Sequence, residues 1–391
     1  MREQILENFL QTFGEEGGKP RVFFSPGRVN LIGEHIDYNG GLVLPCALSL
    51  GTYGAIRKRS DNLIKLFSGN FDTPADFSLD EQLHDPAHKW GNYPKGVVAT
   101  LKESGYELGG FEMYIFGNLP SGAGLSPSAS LNTLVTTALA TVFELNITPI
   151  KIAQLCQKAE NFNGVNCGIM DPFACTMGKK DHAILLNCNT LEYEHIPLNF
   201  GDYRILIANT NHRRGLADSK YNERRAQCEE ALAQLQKVCD INELCDLSVQ
   251  DFEKYKNVIK EEIPRKRAEH AVTENKRTKD AARALKEGDF QKLRSLMIAS
   301  HQSLDELYDV VGDALTAMFE AAFEYEVLHR LHLRVIGTRM TGAGFGGCTV
   351  NIVHKDHIDD FIENVGKDYF LRTGVKASFY VAETSDGTSE I

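Results

Sequence analysis

The chain has no C-x-x-C pair, so the usual spacing of a zinc site is missing. Its nine cysteines are scattered, most of them in apolar stretches, where a free thiol behaves as a small hydrophobe. A reducing, cytoplasmic setting is the simplest reading. No apolar run approaches the ~18 residues of a membrane span, which argues against a membrane partner. The opening stretch MREQILENFLQTFGEE is an amphipathic helix pattern containing acids, unlike a signal peptide or a mitochondrial presequence. There is no basic stripe, and the formal net charge is −11. That balance favours solubility and argues against a nucleic-acid partner. Internal repeats, low-complexity tracts and obvious flexible linkers are also missing.

What is present fits a two-domain globular protein. The 391 residues exceed one ordinary core. Apolar residues at 42% and charged residues at 24% are ordinary for that class. Residues 1–14 read as a helix, and RVFFSPGRVNLIGEH as strand, turn, strand. LVLPCALSLGTYGAIRKR, NLIKLFSGNF and FEMYIFGNLP read as further strands. A long helix follows, with Leu131, Leu134, Val135, Ala138 and Val142 at three- and four-residue steps giving one buried face. The next helix opens with Thr148 as N-cap and Pro149 at its first position. HAILLNC and YRILIANT are strands, and residues 217–236 and 267–303 are mostly helical. A strand, a glycine loop, a strand, a helix near 357–371 and the strand KASFYVAET close the chain. The pattern is α+β in both halves, with domains expected at 1–180 and 181–391.

Four stretches carry chemistry. GAGFGG at 342–347 matches G-x-G-x-x-G, but the strand CTVNIVH follows it where a dinucleotide fold needs a helix, so a β-loop-β turn is expected. PSGAGLSPS lacks the G-K-[ST] ending of a Walker loop. It does run from a strand into a helix, whose free N–H groups and positive dipole end attract phosphate. Its other reading is a plain helix start, with Ser126 as N-cap and Pro127 at the first helical position, and the letters leave both open. In FFSPGRVNLIGEHIDYNGG, Arg28, Glu34, His35 and Asp37 crowd a short segment bounded by glycines, and such groups can hydrogen-bond a polyhydroxylated ligand. In NCGIMDPFACTMG, Asp171 stands among apolar residues just before Pro172, where a capping Asp with Pro at the first helical position is the plainer reading.

Together these stretches resemble the galactokinases of the GHMP small-molecule kinases. GRVNLIGEHIDYNGG is similar to their N-terminal signature, LPSGAGLSPSAS to their phosphate loop, GIMDPF to their catalytic-acid segment and RMTGAGFGGCTV to their C-terminal glycine motif. WGNYPKG and NTNHRRGLADSKYNERRAQCEEA also look like galactokinase text, so the likeness spans most of the chain in the family's order. The resemblance implies a two-domain GHMP kinase-like α+β fold with the active site between the domains. It implies transfer of the γ-phosphoryl of ATP to the C1 hydroxyl of α-D-galactose, the entry step of galactose catabolism, by a cytoplasmic monomer using Mg2+. By the same resemblance Asp171 and Arg28 match the catalytic pair. Glu34, His35, Asp37 and Tyr221 match sugar contacts, and Gly346 would close over the sugar. Ser121, Gly122, Ala123, Gly124, Leu125, Ser126 and Ser128 match the phosphate cradle, and Trp90 and Tyr93 the adenine pocket. Ser128 and Glu160 match the magnesium ligands. Phosphoryl transfer demands mostly positioning and charge neutralisation, which suits these groups.

The chain departs from the family pattern in places. Pro127 stands where the family has a serine, Asn132 where it has Glu, and Pro172 where it has Gln. The stretch ENFNG after Glu160 is one residue short, and EYEVLHRLHLRVIG, with His329 and His332 at helical spacing, is long and basic. Pro127 removes one N–H that would have faced phosphate. Pro127 and Asn132 motivate a second reading, a galactose- and ATP-binding sensor of the same fold. A third is a kinase for a related sugar such as N-acetylgalactosamine.

Overall fold

The computed structural model describes residues 1–80, 90–120, 122–164, 167–212, 217–328 and 334–391. The first half runs through α1 (Arg2–Phe13), β1 (Arg21–Asn30), β2 (Leu42–Val43), β3 (Pro45–Lys58), β4 (Leu63–Ser68), β5 (Phe71–Ser78) and α2 (Asn92–Glu103). It continues through β6 (Phe111–Gly117), α3 (Pro127–Val142), α4 (Pro149–Phe162) and α5 (Met170–Met177). The second half holds β7 (His182–Asn187), β8 (Tyr193–Pro197), β9 (Tyr203–Asn209), α6 (Ala217–Leu235), α7 (Val249–Tyr255), α8 (Glu262–Glu287), α9 (Phe290–Glu306) and α10 (Gly312–Leu328). It ends with β10 (Val335–Thr341), β11 (Cys348–His354), α11 (Ile358–Thr373), β12 (Ser378–Ala382) and β13 (Ser389–Glu390).

These strands form a six-stranded sheet in the order β13-β1-β3-β6-β4-β5, a four-stranded sheet β10-β11-β9-β12 and a three-stranded sheet β2-β7-β8. The fold is α+β, as expected. The predicted buried face of α3 is present: Leu134, Val135 and Ala138 are fully buried and Leu131 packs against them. Thr148 caps α4, its hydroxyl accepting the Lys151 N–H at 3.3 Å. The glycine loop 342–347 joins two antiparallel strands, β10 and β11, as a β-loop-β turn. Among the described residues no helix is long and apolar enough to cross a membrane.

Two stretches differ from expectation. Residues 21–30 form one strand rather than two, running through Pro26 and Gly27 with a register shift against β3 between Pro26 and Arg28. Such a bulge accommodates a proline within a sheet. Here it lets the Arg28 N–H reach the Leu125 carbonyl at 3.2 Å. Gly27 is required for this approach, since a Cβ there would lie 2.5 Å from Leu119 and 2.7 Å from the Leu125 oxygen. The loop after β6 therefore lies directly on β1. The stretch 42–59, legible as continuous strand, divides at Leu44 between two sheets.

The halves are not separate in packing. One core cluster joins Val29, Leu31 and Leu125 to Ile205, Met297 and Val350. The last strand, β13, crosses back to pair with β1, Phe23 facing Glu390.

Candidate active site

β1, the start of α3 and the start of α5 converge on a cavity of about 270 Å³. Its wall includes Arg28, Glu34, His35, Asp37, Gly124, Ser126, Ser128, Glu160, Asp171 and Tyr221. Residues spread over nearly two hundred positions of sequence are thus brought to one place. At the centre Arg28, almost fully buried, grips Asp171 with two bonds, Nε to Oδ1 at 2.8 Å and Nη2 to Oδ2 at 3.0 Å. Its third nitrogen donates to the Gly124 carbonyl at 2.6 Å. A bidentate, buried pair of this kind fixes the orientation of both partners.

Neither expected cap survives in detail. Ser126 does occupy the N-cap position of α3, but at φ 58°, and its hydroxyl makes no capping bond. It donates instead to Asp171 Oδ2. Asp171 is not a cap either. α5 begins one residue earlier at Met170, so Asp171 is its second residue and Pro172 its third. Proline is tolerated there because the first-turn N–H groups have no intrahelical partner. Pro127 does stand at the first position of α3. The first helical bond of α3 runs from the Ser130 N–H to the Ser126 carbonyl at 3.0 Å. The N–H groups of Ser128 and Ala129 precede it, and both residues line the cavity. The helix thus offers an anion two donors and its positive end.

The loop before α3 alternates. Ala123 and Leu125 bury their side chains in the core, whereas Gly124 and Ser126 face the cavity. Gly122 and Gly124 both adopt φ 71°, a left-handed turn that glycine takes without strain. Ser121 lies outside the described residues, as do His329 and His332. Ser128 and Glu160 meet across α3 and α4, the hydroxyl hydrogen-bonded to the carboxylate. Burial, then the nearby Asp171 charge, drives the Glu160 carboxyl up to about 7. Asn132, one turn beyond Ser128, donates to Glu160 Oε1 at 3.1 Å. The short stretch after Glu160 begins in the last turn of α4, which ends at Phe162, and Glu160 itself stays within the helix. This all-oxygen pair suits a hard cation.

Glu34 and His35 line the cavity, yet their polar atoms already have partners. Glu34 accepts from Asn30 and the Gly342 N–H, with Arg339 and Thr341 each at 3.4 Å. His35 Nε2 bonds the Ala343 carbonyl at 3.1 Å and Nδ1 the Tyr38 hydroxyl at 2.8 Å. These two side chains hold the glycine turn against the cavity, so the turn contributes Gly342 and Ala343 to the wall; Gly346 is not among the lining residues. Asp37 is freer. Burial, then the carboxylates of Asp171 and Glu34, push it up to about 7. Its carboxylate lies against Gly168, where a Cβ would come within 1.8 Å of Oδ2. Tyr221, on the first turns of α6, stands edge-on to Tyr38 at 5.4 Å. Trp90 and Tyr93 lie apart from this cavity, at the start of α2. Trp90 stacks on Phe71 at 6.0 Å and donates to the Thr73 carbonyl at 2.9 Å.

Several supporting residues were not singled out in the sequence. Glu274, fully buried, accepts the Gly33 N–H at 2.9 Å and the Ser300 hydroxyl at 2.6 Å. His270 donates to the Glu34 carbonyl at 3.1 Å, and Asn275 accepts the Leu42 N–H at 2.9 Å. A signal existed: His270, Glu274 and Thr278 recur at four-residue steps on a helix whose other buried positions include Ala268, Ala271, Val272 and Ala281. A polar stripe on a buried face must have partners.

A helix N-terminus facing a buried Arg–carboxylate pair, on an α+β frame, defines the class. Residues 92–179 match the N-terminal domain and 281–370 the C-terminal domain of GHMP kinases. The fold superposes on Methanococcus jannaschii mevalonate kinase with a TM-score of 0.65 at 18% identity, covering 94% of this chain and 99% of that one. Residues 7–58 match the galactokinase galactose-binding signature. A Fusobacterium nucleatum galactokinase is 50% identical over the full length of both chains. A Lactococcus lactis galactokinase solved in complex with galactose superposes with a TM-score of 0.95 at 44% identity, covering 100% of this chain and 99% of that one. The chain belongs to the galactokinase family, and it is a kinase.

Proposed function

We propose that the chain phosphorylates α-D-galactose at its C1 hydroxyl with ATP, forming galactose 1-phosphate as the entry step of galactose catabolism. The observation that carries this reading is the Arg28–Asp171 pair set beside the N-terminus of α3, with Asp37 on the same wall. A sugar held by Asp37 and Tyr221 would present a hydroxyl to Asp171. Asp171 would accept that proton or orient the hydroxyl for attack. Arg28 fixes the carboxylate and places a cation where phosphoryl charge passes. The Ser128 and Ala129 N–H groups face the nucleotide phosphates. Ser128 and Glu160 would hold Mg2+, which would supply neutralisation of phosphate charge there. Trp90 and Tyr93 belong to the adenine site in this reading. The division at residue 180, the monomeric state and the cytoplasmic setting are parts of the same proposal.

The sensor reading needs a broken catalytic pair, and Arg28 and Asp171 are engaged. A coupled ATP-consumption assay across a panel of hexoses and N-acetylgalactosamine tests the proposal, with phosphorus NMR of the product reporting the anomeric position. Galactose-dependent ADP formation with an anomeric phosphate is expected. Binding of both ligands without turnover would hand the case to the sensor.

A further inference from the structure

Behind His35 a line of hydrogen-bonding groups leads away from the cavity into the second half of the chain. His35 Nδ1 meets the Tyr38 hydroxyl at 2.8 Å, and that hydroxyl meets Tyr308 at 2.9 Å. The Tyr308 hydroxyl meets Cys228 Sγ at 3.1 Å, and Cys228 accepts from Asn39 Nδ2 at 3.7 Å. One end fixes the direction of every bond. The Ala343 carbonyl has no proton, so His35 Nε2–H must donate to it. Burial, then the neighbouring His270, pushes the His35 pKa down to about 3, so the ring is neutral and Nδ1 is an acceptor. Tyr38 then donates to His35, Tyr308 to Tyr38, and Cys228 to Tyr308.

Tyr308 is the hub of this line. It is fully buried between α9 and α10, with its ring 5.0 Å from His35 and 4.5 Å from His270. Its segment also grips the glycine turn. The Phe345 N–H bonds the Val310 carbonyl at 2.7 Å, and a Cβ on Gly344 would lie 2.2 Å from that oxygen. Arg224, on the helix that carries Tyr221, locks the segment by donating to the Tyr308 and Asp309 carbonyls, each at 2.9 Å.

We propose that Tyr308 is a positioning residue of the sugar pocket, holding His35 in one tautomer through Tyr38 so that His35 pins Ala343 on the cavity wall. This rests on reading the cavity as the galactose site. Tyr308 is not among the residues lining the cavity, so its loss should act on sugar binding through His35 and spare the nucleotide. Removing single atoms along the line gives a graded test, read as galactose KM, nucleotide KM and kcat. Tyr38→Phe strips His35 of its donor and should raise galactose KM about tenfold, Tyr308→Phe about three- to fivefold, and Cys228→Ala less than about twofold. Nucleotide KM and kcat should stay within about twofold in all three. An unchanged galactose KM in Tyr308→Phe, or a nucleotide KM that rises in step with it, overturns the proposal. If Tyr308→Phe does not fold, equal galactose KM values in Tyr38→Phe and Cys228→Ala overturn it instead. Nitrogen-15 shifts of the His35 ring test the line without turnover: Nδ1 should be unprotonated in the unmutated protein. A protonated Nδ1 refutes the tautomer even if the sugar assignment fails separately.

Discussion

At the scale of single residues, the site is organised around carboxylates with different neighbours. Asp171 is held by Arg28 and Ser126, and in the proposed reaction it takes the hydroxyl proton. Asp171→Asn keeps the size of the side chain but loses one of the two Arg28 bonds. Turnover should fall at least about a hundredfold, the scale of a positioned acid–base group, while galactose still binds by calorimetry. Because Arg28 is then left partly unpaired in a buried place, unfolding free energy should drop by about 1–3 kcal/mol. Asp37 is governed by burial. Its carboxyl is raised from 3.8 to about 7 in the fold. A raised acid contributes stability that is full below the unfolded value and is lost as pH rises through the folded value. Asp37→Asn escapes that loss, so the variant should gain on the unmutated protein by on the order of 1–2 kcal/mol more at pH 8 than at pH 5. Melting curves at the two pH values check this; a pH-independent difference would mean that Asp37 titrates normally.

At the scale of elements, the start of α3 decides what the proposed phosphate loop can offer. α3 begins with Pro127, which lies on the cavity wall and has no N–H. Pro127→Ser restores a donor beside those of Ser128 and Ala129. A bond from N–H to a charged phosphate contributes roughly 1.5–3 kcal/mol. Nucleotide KM should therefore fall about tenfold or more, with little change in melting temperature. Unchanged nucleotide KM and turnover would show that position 127 does not face phosphate. The alternation within the loop explains why it keeps its shape despite the proline. Ala123 and Leu125 are anchored in the core, and the Gly124 and Leu125 carbonyls are tied to Arg28.

At the scale of the whole molecule, the C-terminal segment staples the two elements that carry Arg28 and Asp171. Thr388 bonds Ser25 on β1 at 2.7 Å and the Cys175 carbonyl on α5 at 2.9 Å. The Gly387 N–H reaches the Gly178 carbonyl at 2.8 Å, the Thr388 N–H the Cys175 carbonyl at 2.9 Å, and the Ile391 N–H the Val22 carbonyl at 2.9 Å. Removing residues 385–391 should cost on the order of 2–5 kcal/mol of stability, from several bonds at about 1 kcal/mol each. Turnover should fall with it, since β1 and α5 set the Arg28–Asp171 distance. Calorimetric unfolding together with the turnover assay checks both; lost stability with full turnover would separate the staple from the site.

The sequence by itself determined the period-dependent features: the buried face of α3, the Thr148 cap, the strand that disqualifies G-x-G-x-x-G as a dinucleotide site, and the crowding of Arg28, Glu34, His35 and Asp37. These are local, because side-chain spacing and backbone preference act within a few residues. It also carried the family likeness. What it left open were the partners. Nothing near Ser126 says that its hydroxyl turns to Asp171 rather than capping its own helix. Nothing near His35 says that both ring nitrogens are taken by Tyr38 and Ala343. The single strand through Pro26 depended on a loop a hundred residues away settling on Gly27. Buried polar groups must find a partner, but which partner is set by the packing of elements distant in the chain, and that only the tertiary structure decided.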